Sequence, residues 1–329
     1  MAQTLGFTGD VMLGRNVDER QRNRPVTAVW GDVLERLRGL DGLFVNLECC
    51  LSTRGRPWRR THRPFHFRAD PAWAVPALRQ ADVDWANLAN NHLLDFQEEA
   101  LLDTLGALDE GDIAHSGAGR NERDARAPAV VDVGEVTVAF VSLTDNTPEY
   151  AAGPESPGVA RLELDVDDEA NRAVARSMLD RAREYDPDLL VASLHWGPNM
   201  VEEPFESHVR WGRWLLSEGV DVVHGHSAHV FEAVEARDDG LLLYDCGDFV
   251  DDYRVDEELR NDRSFLFELT VDDRATPVRL RLVPVEIRGC QVHLATGDAA
   301  RWCRETMHER SRGYDTEFER EGESLAVEL

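Results

Sequence analysis

Short apolar runs that end in a polar or metal-binding side chain recur along this chain, and that recurrence restricts its fold more than any other feature. The run Gly219-Val-Asp-Val-Val223 reads as a buried strand, and Gly225-His-Ser-Ala-His229 reads as a tight loop leaving its carboxyl end. His224, His226 and His229 thereby fall close together. The same punctuation appears where Thr4-Leu-Gly-Phe-Thr8 leads to Asp10, and where Gly42-Leu-Phe-Val-Asn-Leu leads past Asn46 to Glu48. It returns where Asp84-Trp-Ala-Asn-Leu leads to Asn90, Asn91 and His92, and where Asp188-Leu-Leu-Val-Ala-Ser-Leu leads to His195. Helical patterns alternate with these runs, over 27–37, 71–80, 96–109, 167–185 and 202–218. Strands alternating with helices imply an α/β sheet, and ligands of such sheets gather at the carboxyl ends of the strands.

The later chain reads differently. Val130–Val133 and Val136–Leu143 flank Gly134-Glu135 as a hairpin, and 263–271 and 277–287 alternate as strands. A helix is expected over 299–310, and the acidic tail after Arg312 is expected to be loosely ordered. The expected organisation is one large domain over 1–290, with the helix and tail of 291–329 packed on it or trailing from it.

The polar strand ends carry a definite chemistry. Asp10, Glu48, Asn91 with His92, His195, and His226 with His229 would bring two carboxylates, an amide oxygen and several imidazoles to one rim. Mixed nitrogen and oxygen ligands suit Mn, Fe or Zn. Two divalent metal ions about 3.5–4 Å apart would bridge a hydroxide and clamp an oxyanion. Glu48 is the candidate bridging carboxylate. His226 is expected to share one ion with Asn91 and His195, and His229 the other with Asp10. His224 is expected on the strand's opposite side. His92 beside Asp95 fits a general acid held by a carboxylate. Each signal alone also has a plain structural reading, a solvated histidine loop or a Gly-Asp helix cap.

Charge narrows the partners. The 329 residues carry a formal net charge of -27, and all 36 basic residues are arginine. Acid excess without lysine suits a protein kept soluble in concentrated salt, or an acidic protein of a GC-rich genome. It argues against nucleic acid, because phosphate contacts need basic clusters. One segment runs against the trend. Thr53 to Arg68 holds Arg54, Arg56, Arg59, Arg60, Arg63 and Arg68 and no acidic residue. Guanidinium groups there suit an anionic small-molecule or polyanionic substrate, or pair with acidic surface elsewhere. Five cysteines without C-x-x-C spacing read as reduced, buried thiols. No signal peptide and no membrane span are read, so a cytoplasmic location is expected.

Taken in order, Gly9-Asp10-Val-Met-Leu-Gly-Arg15, Asn46-Leu-Glu48, His66-Phe-Arg68, Ala89-Asn-Asn-His92 with Asp95, His195-Trp-Gly197, Gly225-His-Ser-Ala-His229 and Gly247-Asp-Phe249 resemble the CapA family. These are capsule-synthesis proteins linked to poly-γ-glutamate, similar to calcineurin-type metallophosphatases. The resemblance runs from about residue 4 to 252. It implies a four-layer αββα sandwich of the metallophosphatase type. It further implies Asp10, Glu48, Asn91, His195, His226 and His229 as metal ligands and His92 as the catalytic acid. Arg15, Asn46, Arg68 and Asp248 fall on the substrate side. The implied activity is dinuclear-metal hydrolysis of a phosphate ester. Hydrolysis of a γ-glutamyl amide, or a non-hydrolytic, polyanion-binding role in polyglutamate synthesis or export, uses the same residues. The chain departs from the family pattern at Ser227, at Asp248 and at Pro198-Asn199, and the N-terminal anchor of membrane-associated members is not expected here.

Overall fold

The computed structural model describes residues 2–329, a mixed α/β chain built on two large sheets. In the first, Gln3–Val11, Gly42–Leu47, Val83–Asn87 and Ala114–Ser116 run parallel in that order. On the other side of Gln3–Val11 the sheet continues antiparallel through Arg263–Val271, Pro277–Ile287, Ser324–Glu328 and Glu319–Glu321. The second sheet is ordered Val234–Arg237, Gly240–Leu243, Val222–His226, Leu189–His195, Val136–Thr144 and Ala129–Val133. Its middle strands are parallel, and the hairpin at its edge is the one expected from Gly134-Glu135.

Alternation along each strand divides its side chains between two faces. Leu5, Phe7, Phe44 and Trp85 of the first sheet meet Val138, Phe140, Val191 and Val222 of the second in one core. Phe140 lies edge-on to Phe44 at 4.7 Å and stacks on Trp85 at 4.0 Å, so aromatic rings pin the two sheets together. The opposite face of the first sheet, with Val45 and Leu47, is covered by Trp73 and Leu78 of helix Pro71–Gln80 and Leu101 and Leu108 of helix Gln97–Glu110. The opposite face of the second, with Val141 and Ala192, is covered by Met178 and Leu179 of helix Glu169–Arg183 and Trp211 and Leu215 of helix Glu206–Ser217. Two of these helices start on side-chain caps, Asp70 accepting from Ala72 N and Asp168 from Ala170 N. Truncating a leucine in any of these layers to alanine costs about 2–5 kcal/mol.

Two expectations are corrected. The tail is not loose: Ser324–Glu328 pairs with Pro277–Ile287, and Leu325 is fully buried in the core between the sheets. Its charges mask a short Leu-Ala-Val run that suffices for an edge strand, and a turn at Gly322 (φ +63°) folds the chain back on itself. The histidine stretch also differs, because the strand extends over Val222–His226. His224 and His226, two residues apart, therefore share one face instead of opposing each other. Among the described residues no helix is long and apolar enough to cross a membrane.

Candidate metal centre

Strand register brings the site together. Asp10 stands opposite Asn46 on Gly42–Leu47 and opposite Asp248 on the short strand Asp248–Val250, which also pairs with Gln3–Val11, and Asn46 stands opposite Asn87. In the second sheet His195 stands opposite His226. Two parallel strand ends thus face each other across the sheet interface, each carrying its polar residue at the same level. Gly9 makes the approach possible: its N-terminal strand runs so close to Gly247 that a Cβ there would lie 1.7 Å from the Gly247 carbonyl oxygen.

The ligand-type side chains form two overlapping groups. Asp10, His195 and His226 are one; Asp10, Glu48, His229 and Asp248 are the other. Within each, one donor atom per residue lies within 4.8 Å of all the rest. Asp10 Oδ1 is 3.9 Å from His226 Nδ1, and Asp10 Oδ2 is 3.5 Å from His229 Nδ1. The carboxylate common to both groups is therefore Asp10, and Glu48, expected to span the two, belongs to the second alone. Asp248, placed on the substrate side from sequence, lies inside the second group with Oδ1 2.9 Å from His229 Nδ1.

The donor set fits cations. Asp10, Glu48 and Asp248 are fully buried, and Asp10 Oδ2, Glu48 Oε1, Asp248 Oδ2, His195 Nε2 and Asn91 Oδ1 are buried without hydrogen-bond partners. A buried orphan of this kind costs about 1–3 kcal/mol. His195 Nδ1 and His226 Nδ1 are 3.0 Å apart, a separation that requires a proton or a cation between the two lone pairs. Burial, opposed by His229 and the Asn46 amide, raises the Asp10 carboxyl to about 6. Burial and then Asp10 push Glu48 well above the usual range, and burial with Asp251 and Asp10 does the same to Asp248. Burial holds His195 and His226 well below the ordinary imidazole value, as neutral rings. Crowded carboxylates facing neutral imidazoles are what divalent ions select.

Asn91 and its neighbour divide their work. The Asn90 amide is turned inward, onto Asn46 Oδ1 and the Leu47 carbonyl, while its own Oδ1 accepts from His92 N. Asn91 keeps its side-chain oxygen unpartnered and gives its backbone carbonyl to Arg63 at 2.5 Å. His92 stands beside the second group, with Nε2 3.7 Å from Glu48 Oε1. Its ring stacks on Phe67 at 3.8 Å, and its Nδ1 donates to Asp95 Oδ2 at 2.6 Å. Asp95 in turn accepts from Phe67 N and Tyr150 Oη, so the ring is fixed in plane and angle. Burial lowers the His92 pKa, and Asp95 opposes that shift.

Arg15 and Arg68 line a neighbouring cleft of about 350 Å³ with Ser52, His66 and Asp70. The Arg15 guanidinium packs on Phe65, Phe67 and Tyr253 and pairs with Asp252 at 3.3 Å. Arg68 lies 4.0 Å over Phe96. The arginine-rich segment is split in use: Arg54 pairs with Asp103 and Glu99, and Arg60 with Glu98, on one helix. Arg63 and Arg68 instead spend their donors on backbone carbonyls and a threonine hydroxyl. Asn46, also expected on the substrate side, donates to Asp10 at 2.6 Å and supports the centre from behind.

A family model described as bacterial capsule synthesis protein PGA_cap matches residues 4–253. The chain belongs to that family. It is similar to a probable polyglutamine synthesis accessory protein of Mycobacterium tuberculosis, 32% identical over 94% of this chain and 92% of that protein. It is also similar to the capsule biosynthesis protein CapA of Bacillus anthracis, 27% identical over 87% of this chain and 67% of that one. A hypothetical protein from Thermus thermophilus shares its fold, with a TM-score of 0.51 at 18% identity over 86% of this chain and 99% of that one.

Within this capsule synthesis family member, several site residues escaped the sequence reading. Tyr253 Oη donates to Glu48 Oε2 at 2.9 Å, and Asp245 accepts from the backbone on either side of the centre. Tyr253 follows no apolar run, whereas Asp245 follows Leu241–Tyr244 and carries the strand-end pattern, but its role lies in backbone contacts that the pattern does not show. Ser227 and His229 hold positive φ of +123° and +63°, a strained loop of the kind that recurs at ligand sites.

Proposed function

We propose that this capsule synthesis family member is a metal-dependent hydrolase of the phosphoesterase type, folded as a four-layer αββα sandwich of the metallophosphatase kind. The observation that carries the reading is the pair of buried ligand groups sharing Asp10, with His92 beside them. Asp10, His195 and His226 would hold one divalent ion, with Asn91 contributing its free amide oxygen. Asp10, Glu48, His229 and Asp248 would hold the other. When bound, such ions supply Lewis-acid charge to an ester and generate a nucleophile from water. The chain's own residues do the rest. His92, braced by Asp95 and Phe67, keeps a proton near the leaving group. Tyr253 steadies Glu48, and Asn46 steadies Asp10. Metal analysis of the purified chain, followed by phosphomonoester and phosphodiester turnover in high salt, tests this. Absence of a bound transition metal, or undiminished turnover by His92→Ala, would end it.

A second reading has its own support. A relative is named an accessory protein of polyglutamine synthesis, and Arg63 and Arg68 hold guanidiniums on neutral partners at the rim. In that reading the chain binds a polyanion without cleaving it. Binding of poly-γ-glutamate that weakens in Arg63→Ala and Arg68→Ala, with no hydrolysis of any ester, would select it.

A further inference from the structure

A relay of hydrogen bonds runs from the backbone of the first sheet to the ring of His226. It begins at the Thr8 carbonyl oxygen, 2.7 Å from His224 Nε2. A carbonyl only accepts, so Nε2 of His224 carries the proton. That ring is fully buried, with a hydroxyl at its other nitrogen and no carboxylate in reach to favour a second proton, and it is therefore neutral with a lone pair on Nδ1. Ser193 Oγ lies 3.2 Å from that lone pair and must donate to it. With its single proton committed, the hydroxyl accepts at its remaining contact, His226 Nε2 at 2.9 Å. His226 is then protonated at Nε2 and bare at Nδ1. The bare nitrogen is the one aimed at His195 Nδ1, 3.0 Å away, and at Asp10 Oδ1, 3.9 Å away.

We propose that Ser193 and His224 are positioning residues that lock His226 as its Nε2–H tautomer, so that Nδ1 is offered to the divalent ion. The inference rests on the metal reading above and adds which atom of His226 serves it and what sets that choice. Without the relay the two tautomers of a buried imidazole differ little, and the wrong one blocks the ligand position with a proton. The anchor, Thr8, sits two residues before Asp10 on the same strand, so the carboxylate and the imidazole of one ligand group are referenced to a single backbone segment. Partners of this kind, behind the ligands, typically change metal affinity by about 10–100-fold when removed.

The test uses the full chain with ¹⁵N-labelled histidine. In metal-free wild type, long-range ¹H–¹⁵N spectra are expected to show His226 protonated at Nε2. Ser193→Ala deletes the acceptor with almost no change of volume, and the ring is expected to populate the Nδ1–H form. Its Co²⁺ affinity, read by chelator competition, is expected to fall about 10–100-fold. His224→Gln keeps an amide donor toward Thr8 and an acceptor toward Ser193, and should stay close to wild type, whereas His224→Leu should behave like Ser193→Ala. A wild-type His226 protonated at Nδ1, or wild-type Co²⁺ affinity in Ser193→Ala, overturns the relay. Should either variant fail to fold, the wild-type tautomer alone decides. Failure of wild type to bind Co²⁺ would reject the metal reading, and the tautomer spectrum would still decide the relay.

Discussion

The Asp245 carboxylate accepts a hydrogen bond from the backbone N–H of Ala228 at 2.7 Å, inside the loop between His226 and His229. Its other oxygen accepts from Gly247 N at 2.7 Å, next to Asp248. One buried side chain therefore fixes two segments that deliver ligand-type residues, one of them with strained backbone at Ser227 and His229. Asp245→Ala leaves two buried N–H groups without acceptors, at about 1–3 kcal/mol each. Chemical denaturation should show that loss, and mass spectrometry under native conditions should show weaker metal retention. Asp245→Asn, which keeps one acceptor oxygen, should fall between alanine and wild type. Unchanged metal retention in Asp245→Ala would remove the residue from this role.

His92 is expected to separate chemistry from metal binding. Its ring is held by Asp95 and Phe67 and makes its contact with the site through Nε2. His92→Ala should lower ester turnover by about 10²–10⁴-fold, the usual worth of a positioned acid, while metal content stays at the wild-type level. Asp95→Asn should also lower turnover, through the same ring. Loss of metal in His92→Ala would make the residue a ligand instead.

How far these roles were legible depends on what each residue rests on. Asp10, Glu48, His195 and His226 were visible because each follows an apolar run, and parallel register then aligns their strand ends. The face of His224 differs from that expected because the strand begins and ends later than the apolar run suggests, taking both histidines into regular alternation. Asp248 was legible as a site residue and not as a member of the ligand group. Its place depends on pairing with Asp10 across a strand from the far end of the chain. Ser193 and Asp245 act through contacts that no local spacing encodes. The buried tail strand was hidden by the charges around Leu325.

The net charge of -27 makes a prediction about salt. Many arginines are paired on the surface, as Arg176 is with Glu218 and Arg210 with Asp167, and screening weakens such pairs slightly. Acid excess outweighs that loss, since repulsion within the folded chain acts over the Debye length of about 10 Å at 0.1 M and about 3 Å at 1 M. The urea midpoint is therefore expected to rise as KCl goes from about 0.1 M to about 1 M. A falling midpoint would show that the ion pairs dominate.

Glu232 should impose a pH dependence of its own. It is 5% exposed, and burial, opposed by Arg310, raises its carboxyl from 4.5 to about 8. Below the lower value both the folded and unfolded chains hold the proton, and the group contributes nothing. Between the two values only the folded chain holds it, so stability falls as pH rises and levels off above the folded value. At about 1.4 kcal/mol per unit, the loss is on the order of a few kcal/mol. Glu232→Gln removes this slope, so its advantage over wild type in chemical denaturation should be larger at alkaline than at acidic pH. Parallel stability curves for the two proteins would sink the assignment.

Metal stoichiometry tests which carboxylate is shared. Asp10 contributes to both ligand groups, through Oδ1 on the His226 side and Oδ2 on the His229 side, whereas Glu48 contributes only to the second. His229→Ala and Glu48→Gln should each leave about one metal per chain, held by Asp10, His195 and His226, because the clamp needs two ions and the first group is intact. His226→Ala should leave about one in the other group for the same reason. Asp10→Ala should hold the least metal of the four, since it alone removes a ligand from both groups. Turnover should be nearly abolished in all four, so metal content and not activity separates them. Thermal melts offer a second readout: excess metal at about 100 times its dissociation constant adds about 2.7 kcal/mol per site, and Asp10→Ala should show the smallest rise. Were Glu48 the bridge, the pattern would invert, with Glu48→Gln holding the least metal and Asp10→Ala retaining one ion. That result would mean the bound centre rearranges around Glu48, and the division of ligands read from the two groups would fall.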